Sequence, residues 1–129
     1  MTDASGADGD RQTDTGRIVS LSRDLFFGMR VRTIVGKLGY DLKLVKDESG
    51  VVDAVSEDDV SIVIIDFNQP VDWDELLPVL SGETPVLAFG SHTDVDGFRA
   101  AKAAGVTRVV SNGEFSRRLP ELIEQYLRR

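Results

Sequence analysis

From residue 17 onward, apolar runs and amphipathic segments alternate along the chain, and their periods predict its elements. Residues 18–21 form a short apolar strand. Residues 24–38 place Phe27, Val31, Ile34, Val35 and Leu38 on one helical face, and Gly39 sits where a helix stops. Residues 42–45 predict a second strand, and residues 51–56 a short, weakly marked helix. The unbroken Ile-Val-Ile-Ile core of residues 61–65 predicts a strand buried on both faces. A helix of about two turns is predicted over residues 73–80, weakened by Pro78. Residues 85–89 predict the fourth strand. The next helix is expected to start from a Thr93 cap, with Asp96 reaching back, and to stop at Gly105. Val109 and Val110 centre a fifth strand. Leu119, Leu122, Ile123, Tyr126 and Leu127 recur at helical spacing in a last helix whose first turn is expected to hold Pro120.

Five strands alternating with helices imply a parallel sheet covered on both faces. Such sheets place ligands and chemistry at the carboxyl ends of their strands, here residues 21–24, 66–69, 90–92 and 111–113. The 129 residues fit a single domain. Residues 1–16 are rich in Asp, Gly, Ser and Thr with almost nothing apolar, which predicts a disordered tail ahead of a domain over 17–129.

Composition narrows the chemistry. Without cysteine there is no disulfide framework, thiolate metal site or cysteine nucleophile. No apolar run is long enough for a bilayer, and the N-terminus lacks the order of a signal peptide, so a cytoplasmic protein with no membrane partner is expected. The net charge of −7 is unevenly placed: the segment from Arg99 onward is +4 and the remainder −11. An acidic body argues against nucleic-acid binding, whereas the basic end suits either a solvated face or an acidic protein partner. No phosphate loop, Ser-His-Asp arrangement or nucleotide fingerprint occurs, and no enzyme activity is expected.

Several segments, in order, resemble the receiver domains of bacterial response regulators. They are Leu38-Gly39-Tyr40, Ile64-Ile65-Asp66-Phe67-Asn68-Gln69-Pro70, Pro85-Val86-Leu87-Ala88-Phe89 and Ala103-Ala104-Gly105-Val106. The likeness runs over residues 17–129 and implies a CheY-like, flavodoxin-like α/β/α sandwich with a five-stranded parallel sheet in the order 2-1-3-4-5. In that family an acidic pair after the first strand binds magnesium and an aspartate ending the third strand accepts phosphate. A Ser or Thr ends the fourth strand, and a Lys ends the fifth. The resemblance puts Asp66 at the acceptor position, but the acidic pair falls on Ser22 and Arg23, the hydroxyl on Gly90 and the lysine on Asn112. Asp24 stands one step out of register, as does Ser91 for the hydroxyl. The segment between Asp66 and Pro85 is also shorter than usual.

Phosphoryl transfer to a carboxylate needs charge neutralised on the incoming group, by magnesium and usually a neighbouring cation. Replacing two acids by Ser22 and Arg23 should collapse magnesium affinity. Two readings of Asp66 stay open: an ion pair with Arg23 in the metal's place, or a solvated or helix-capping acid. His92, the single histidine, can be a ligand or a local hydrogen-bonding loop residue. Phe26 lies off the core stripe of its helix, as a partner contact or partly buried under the loop after the third strand. Phe67 and Trp73 read as core or loop packing.

The expected function is a stand-alone pseudo-receiver, a non-enzymatic module in two-component signalling and phosphorelay. It needs no cofactor and docks on a kinase, a regulator or itself. Receivers commonly present the face made by the fourth helix, fifth strand and fifth helix, which here holds Arg99, Lys102, Arg108 and Arg118. The alternatives are a weakly active phospho-acceptor using Asp66, with Mg²⁺ held by Asp24, and a small-molecule sensor at the strand ends.

Overall fold

The computed structural model describes residues 16–127. The elements follow in strict alternation: β1 (Arg17–Leu21), α1 (Leu25–Leu38), β2 (Asp41–Val45), α2 (Glu48–Glu57), β3 (Val60–Asp66), α3 (Leu77–Leu80), β4 (Val86–Gly90), α4 (Val95–Ala104), β5 (Arg108–Ser111) and α5 (Asn112–Leu127). All four strand pairings are parallel, in the order β2-β1-β3-β4-β5. This is the three-layer sandwich and the strand order that the resemblance implies. The tail reading of residues 1–15 lies outside the described residues.

The period-2 geometry of the strands divides one apolar sequence between two cores. On one face Ile18, Ile62, Ile64, Leu87, Phe89 and Val110 pack beneath α1 and α5. On the other Val19, Leu21, Val63, Ile65, Val86 and Ala88 pack beneath α2, α3 and α4. Strand β3 feeds both, which is why its sequence shows no alternation. Phe89 stacks on Phe115 at 3.8 Å between ring centroids, with Phe27 against it at 4.9 Å.

Local chemistry moves four element boundaries from their predicted places. Helix α2 starts at Glu48 because the Asp47 side chain caps it, accepting from the Gly50 amide at 2.9 Å. Regular helix in α3 is confined to Leu77–Leu80, preceded by turns closed by Leu76 N to Trp73 O and Leu77 N to Asp74 O. Pro78 stands at its start, where a missing amide is harmless. Asp94, not Thr93, caps α4 by accepting from Gly97 N; the Thr93 hydroxyl pairs with Ser91 Oγ instead.

The fourth correction concerns Pro120, expected in the first turn of the last helix. Helix α5 begins directly at the end of β5, so Pro120 lies in its interior. Proline cannot donate to the carbonyl four residues back, which is that of Ser116. Arg30 of α1 supplies the missing donor, its Nη2 lying 2.6 Å from Ser116 O. Arg30→Ala should therefore cost about 1 kcal/mol in denaturant unfolding. In a Pro120→Ala background, where the restored amide serves Ser116, the cost should shrink to a fraction of that. An equal cost in both backgrounds would rule out the repair.

Candidate functional site

The carboxyl ends of β1, β3, β4 and β5 converge on Asp66, the last residue of β3, which is 1% exposed. Its burial follows from register, since it pairs with Phe89 in the middle of the sheet. A buried carboxylate needs donors. Ser22 Oγ donates to Oδ2 at 2.7 Å, and the backbone amide and side-chain Nδ2 of Asn68 donate to Oδ1 at 2.9 and 2.8 Å. Asn68 also exchanges a reciprocal pair of hydrogen bonds with Asn112, at 2.9 and 3.1 Å. Residues from β3, the β1–α1 turn and the start of α5 thus form one network around the acid. Ser22 contacts Asp66 directly and Asn112 joins it through Asn68, a member that sequence reasoning missed.

Arg23 does not enter this network, so the ion-pair reading of Asp66 fails, and the burial of its carboxylate sets aside the solvated one as well. Its backbone amide donates to Gln69 Oε1, and its Nε donates to Lys46 O at 3.3 Å. Its guanidinium is close enough to Asp47 to help hold that carboxyl below the usual range, after larger contributions from the Gly50 amide and the Ser49 hydroxyl. Asp24 is likewise committed elsewhere: it caps α1, accepting from Phe26 N at 2.8 Å. Among the described residues no three Asp, Glu, His or Cys side chains cluster as a metal-binding group.

At the end of β4 the hydroxyl position is taken by an aromatic ring. Phe67, 6% exposed, lies directly over Gly90, so that a Cβ there would overlap ring atoms Cε1, Cδ1 and Cζ. The same ring rests on Gly97 of α4 and meets Phe98 edge-on at 5.3 Å between centroids. Gly90 is therefore a glycine for a steric reason, the close approach of this phenyl ring, and Gly97 for two, since the Asp94 carboxylate crowds the same spot more closely than the ring does. Phe67 packs in the core as its sequence context suggests, but its occupation of the hydroxyl position was not foreseen. Ser91, the substitute considered for that hydroxyl, bonds to Thr93.

In the loop between β4 and α4, His92 is exposed and borders a cleft of about 340 Å³ with Val95, Phe98, Val109, Val110, Ser111 and Glu114. The basic face next to it is partly neutralised. Arg108 and Arg118 both bond to Glu114, at 3.2 and 2.7 Å, and Arg118 also approaches Glu121. Arg99 and Lys102 have no ion-pair partner among the described residues. Of the two readings of Phe26, partial burial fails: the side chain is 89% exposed.

The architecture and the acid at the end of β3 define a doubly wound α/β module of the flavodoxin-like type. Its fold is that of the CheY-like receiver domains of response regulators. The chain is similar to the chemotaxis response regulator CheY4 of Vibrio cholerae at 15% identity and a TM-score of 0.71, covering 87% of this chain and 98% of that one. It is similar to the receiver domain of the sensor histidine kinase PA1611 of Pseudomonas aeruginosa at 14% identity and a TM-score of 0.76, with 88% and 98% covered. That structure carries a magnesium ion coordinated in its active-site cleft. Full-length FixJ of B. japonicum is 23% identical with a TM-score of 0.73; 88% of this chain aligns, over 58% of FixJ. No family model matches the chain, and no curated protein matches it. No helix among the described residues is long and apolar enough to cross a membrane.

Proposed function

We propose that this chain is a pseudo-receiver, a protein–protein interaction module of bacterial-type signal transduction that holds one conformation without phosphorylation. One observation carries the reading: the chain's own Ser22 and Asn68 donors are closed over Asp66, and Asn112 is locked to Asn68 behind them. The residues present do not fit magnesium, which takes several oxygen ligands in a strict octahedron. The positions of an acidic pair hold Ser22 and Arg23, and Asp24 is turned to the helix N-terminus. The hydroxyl position is filled by Phe67. Nothing in this arrangement calls for a cofactor or for enzymatic turnover.

With the pocket in a fixed state, output passes through the surface. The face of α4, β5 and α5 carries Arg99 and Lys102 as cations without an ion pair among the described residues, with the His92 cleft beside them, and suits an acidic partner such as a kinase or regulator. The chain should give no saturable amide shifts around Asp66 with beryllofluoride and Mg²⁺. Such shifts would establish a working phospho-acceptor and end the pseudo-receiver reading. Charge reversal of Arg99 and Lys102 should weaken partner recovery in pull-downs; unchanged recovery would remove this face from the account.

A further inference from the structure

The chain contains two asparagines, and they face each other beside Asp66. Asn68 is followed by Gln69 and Asn112 by Gly113. The difference is chemical. An asparagine side chain is open to attack at Cγ by the backbone nitrogen of the next residue, and glycine alone brings no side chain to hinder the approach. Asn112 is half-buried and Gly113 exposed, so water reaches the pair.

The surroundings prime the Gly113 nitrogen. It lies in the first turn of α5, where an amide has no carbonyl partner within the helix and stands at the positive end of the dipole. The Ser111 hydroxyl, which caps this turn, takes the Glu114 amide, at 3.1 Å. Arg117 Nη1 comes within 3.3 Å of where a Gly113 Cβ would stand, which adds a full positive charge nearby. Each of these favours loss of the amide proton. The asparagine pair opposes the attack. Asn112 Oδ1 accepts from Asn68 Nδ2 at 2.9 Å, and Asn112 Nδ2 donates to Asn68 Oδ1 at 3.1 Å. The side-chain amide is thus clasped at both of its polar atoms, and turning Cγ onto its own backbone breaks both bonds.

We propose that Asn112 is a modification site, where deamidation through Gly113, held back by the Asn68 clasp, turns the residue into an acid and opens the Asp66 network for good. The Gly113 nitrogen loses its proton to hydroxide and bonds to Cγ; the Cγ–Nδ2 bond breaks and ammonia leaves. Water then opens the resulting succinimide at either carbonyl, giving aspartate or isoaspartate. The product cannot close the clasp again, because a carboxylate has no proton to give Asn68 Oδ1. It also sets a second negative charge against the Asn68 amide that serves Asp66. The inference rests on the reading of the pocket as locked and gives that lock a one-way release. Its test involves neither phosphate nor Mg²⁺, so a working phospho-acceptor and an inert Asn112 are separate outcomes.

The full-length chain is incubated in mildly alkaline heavy-oxygen water, and the tryptic peptide of residues 109–117 is followed by mass spectrometry. The unaltered chain should accumulate the acid slowly. Asn68→Ala, which removes both bonds of the clasp, should speed the change by about tenfold or more. Adding Gly113→Ala should suppress that gain. Ser22→Ala takes a donor from Asp66 without touching Asn112 and should leave the rate unchanged. In urea the unaltered chain should react at least as fast as the Asn68→Ala variant. Asn112→Asp should reproduce the amide shifts that the aged chain develops at residues 66–68. The inference is overturned if Asn68→Ala brings no acceleration, if Ser22→Ala accelerates the change as much, or if folded and urea-unfolded chains react alike. It is equally overturned if Asn112→Asp leaves the amides of residues 66–68 where they were.

Discussion

Gly90→Thr, the substitution that returns a hydroxyl to the end of β4, should destabilise the domain by about 2–3 kcal/mol in denaturant unfolding. The new Cβ would stand inside the ring of Phe67, and that ring has little room to yield between Gly97 and Phe98. Phe67→Ala alone should also cost about 3 kcal/mol or more, by leaving a cavity against the Val63 and Ala88 side of the sheet. The double variant should be more stable than the two losses added together, with a coupling of about 1–3 kcal/mol, because threonine then occupies part of the space the ring has vacated. Strict additivity would mean that ring and glycine are not mutually dependent.

The rescued background permits a second prediction with a larger functional readout. Adding Ser22→Asp, Arg23→Asp and Asn112→Lys to Phe67→Ala and Gly90→Thr should create Mg²⁺-dependent binding of beryllofluoride well above that of the unaltered chain. The new carboxylates bring two negative charges to the site, each worth about 4 kcal/mol per unit of opposite charge at 4 Å in an effective dielectric of 20, and the added lysine offsets part of that. Desolvation takes part of that, leaving a gain in Mg²⁺ affinity of more than about a hundredfold. Isothermal titration with Mg²⁺ measures it directly. An unchanged isotherm in a folded variant would show that the missing side chains are not what separates this pocket from a working one.

Much of this architecture was legible in the residues because strands and helices impose their periods on burial. β3 had to be buried on both faces once four consecutive branched residues lacked alternation, and α1 declared itself by a single stripe ending at Gly39. What escaped were features set by a choice among neighbouring polar side chains or by partners remote in sequence. The start of α2 depends on which of several polar residues turns inward as a cap, and Asp47 does so. Pro120 could be interior only because Arg30, on another helix, serves the carbonyl it abandons.

The site divides in the same way. Asp66 was identifiable from its place at the end of a buried strand. Its supposed partner Arg23 was not, because successive residues leaving β1 diverge: the Ser22 hydroxyl turns in to the carboxylate while the Arg23 side chain runs out to Lys46. Asn68 and Asn112 lie 44 residues apart, and neither announces the other in the sequence. Phe67 left a fainter trace, since bare positions at Gly90 and Gly97 demanded a bulky neighbour, yet nothing local said which one.

The interlock of Phe67 with its two glycines also bears on how such a pocket changes over generations. A lineage gaining a hydroxyl there first must tolerate the crowded ring, and one shrinking the ring first must tolerate the void. Against a folding margin of about 5–15 kcal/mol, either order passes through a valley of weakened fold. The steric fit therefore works as a latch, holding the ring at residue 67 and the bare position at residue 90 together as a pair.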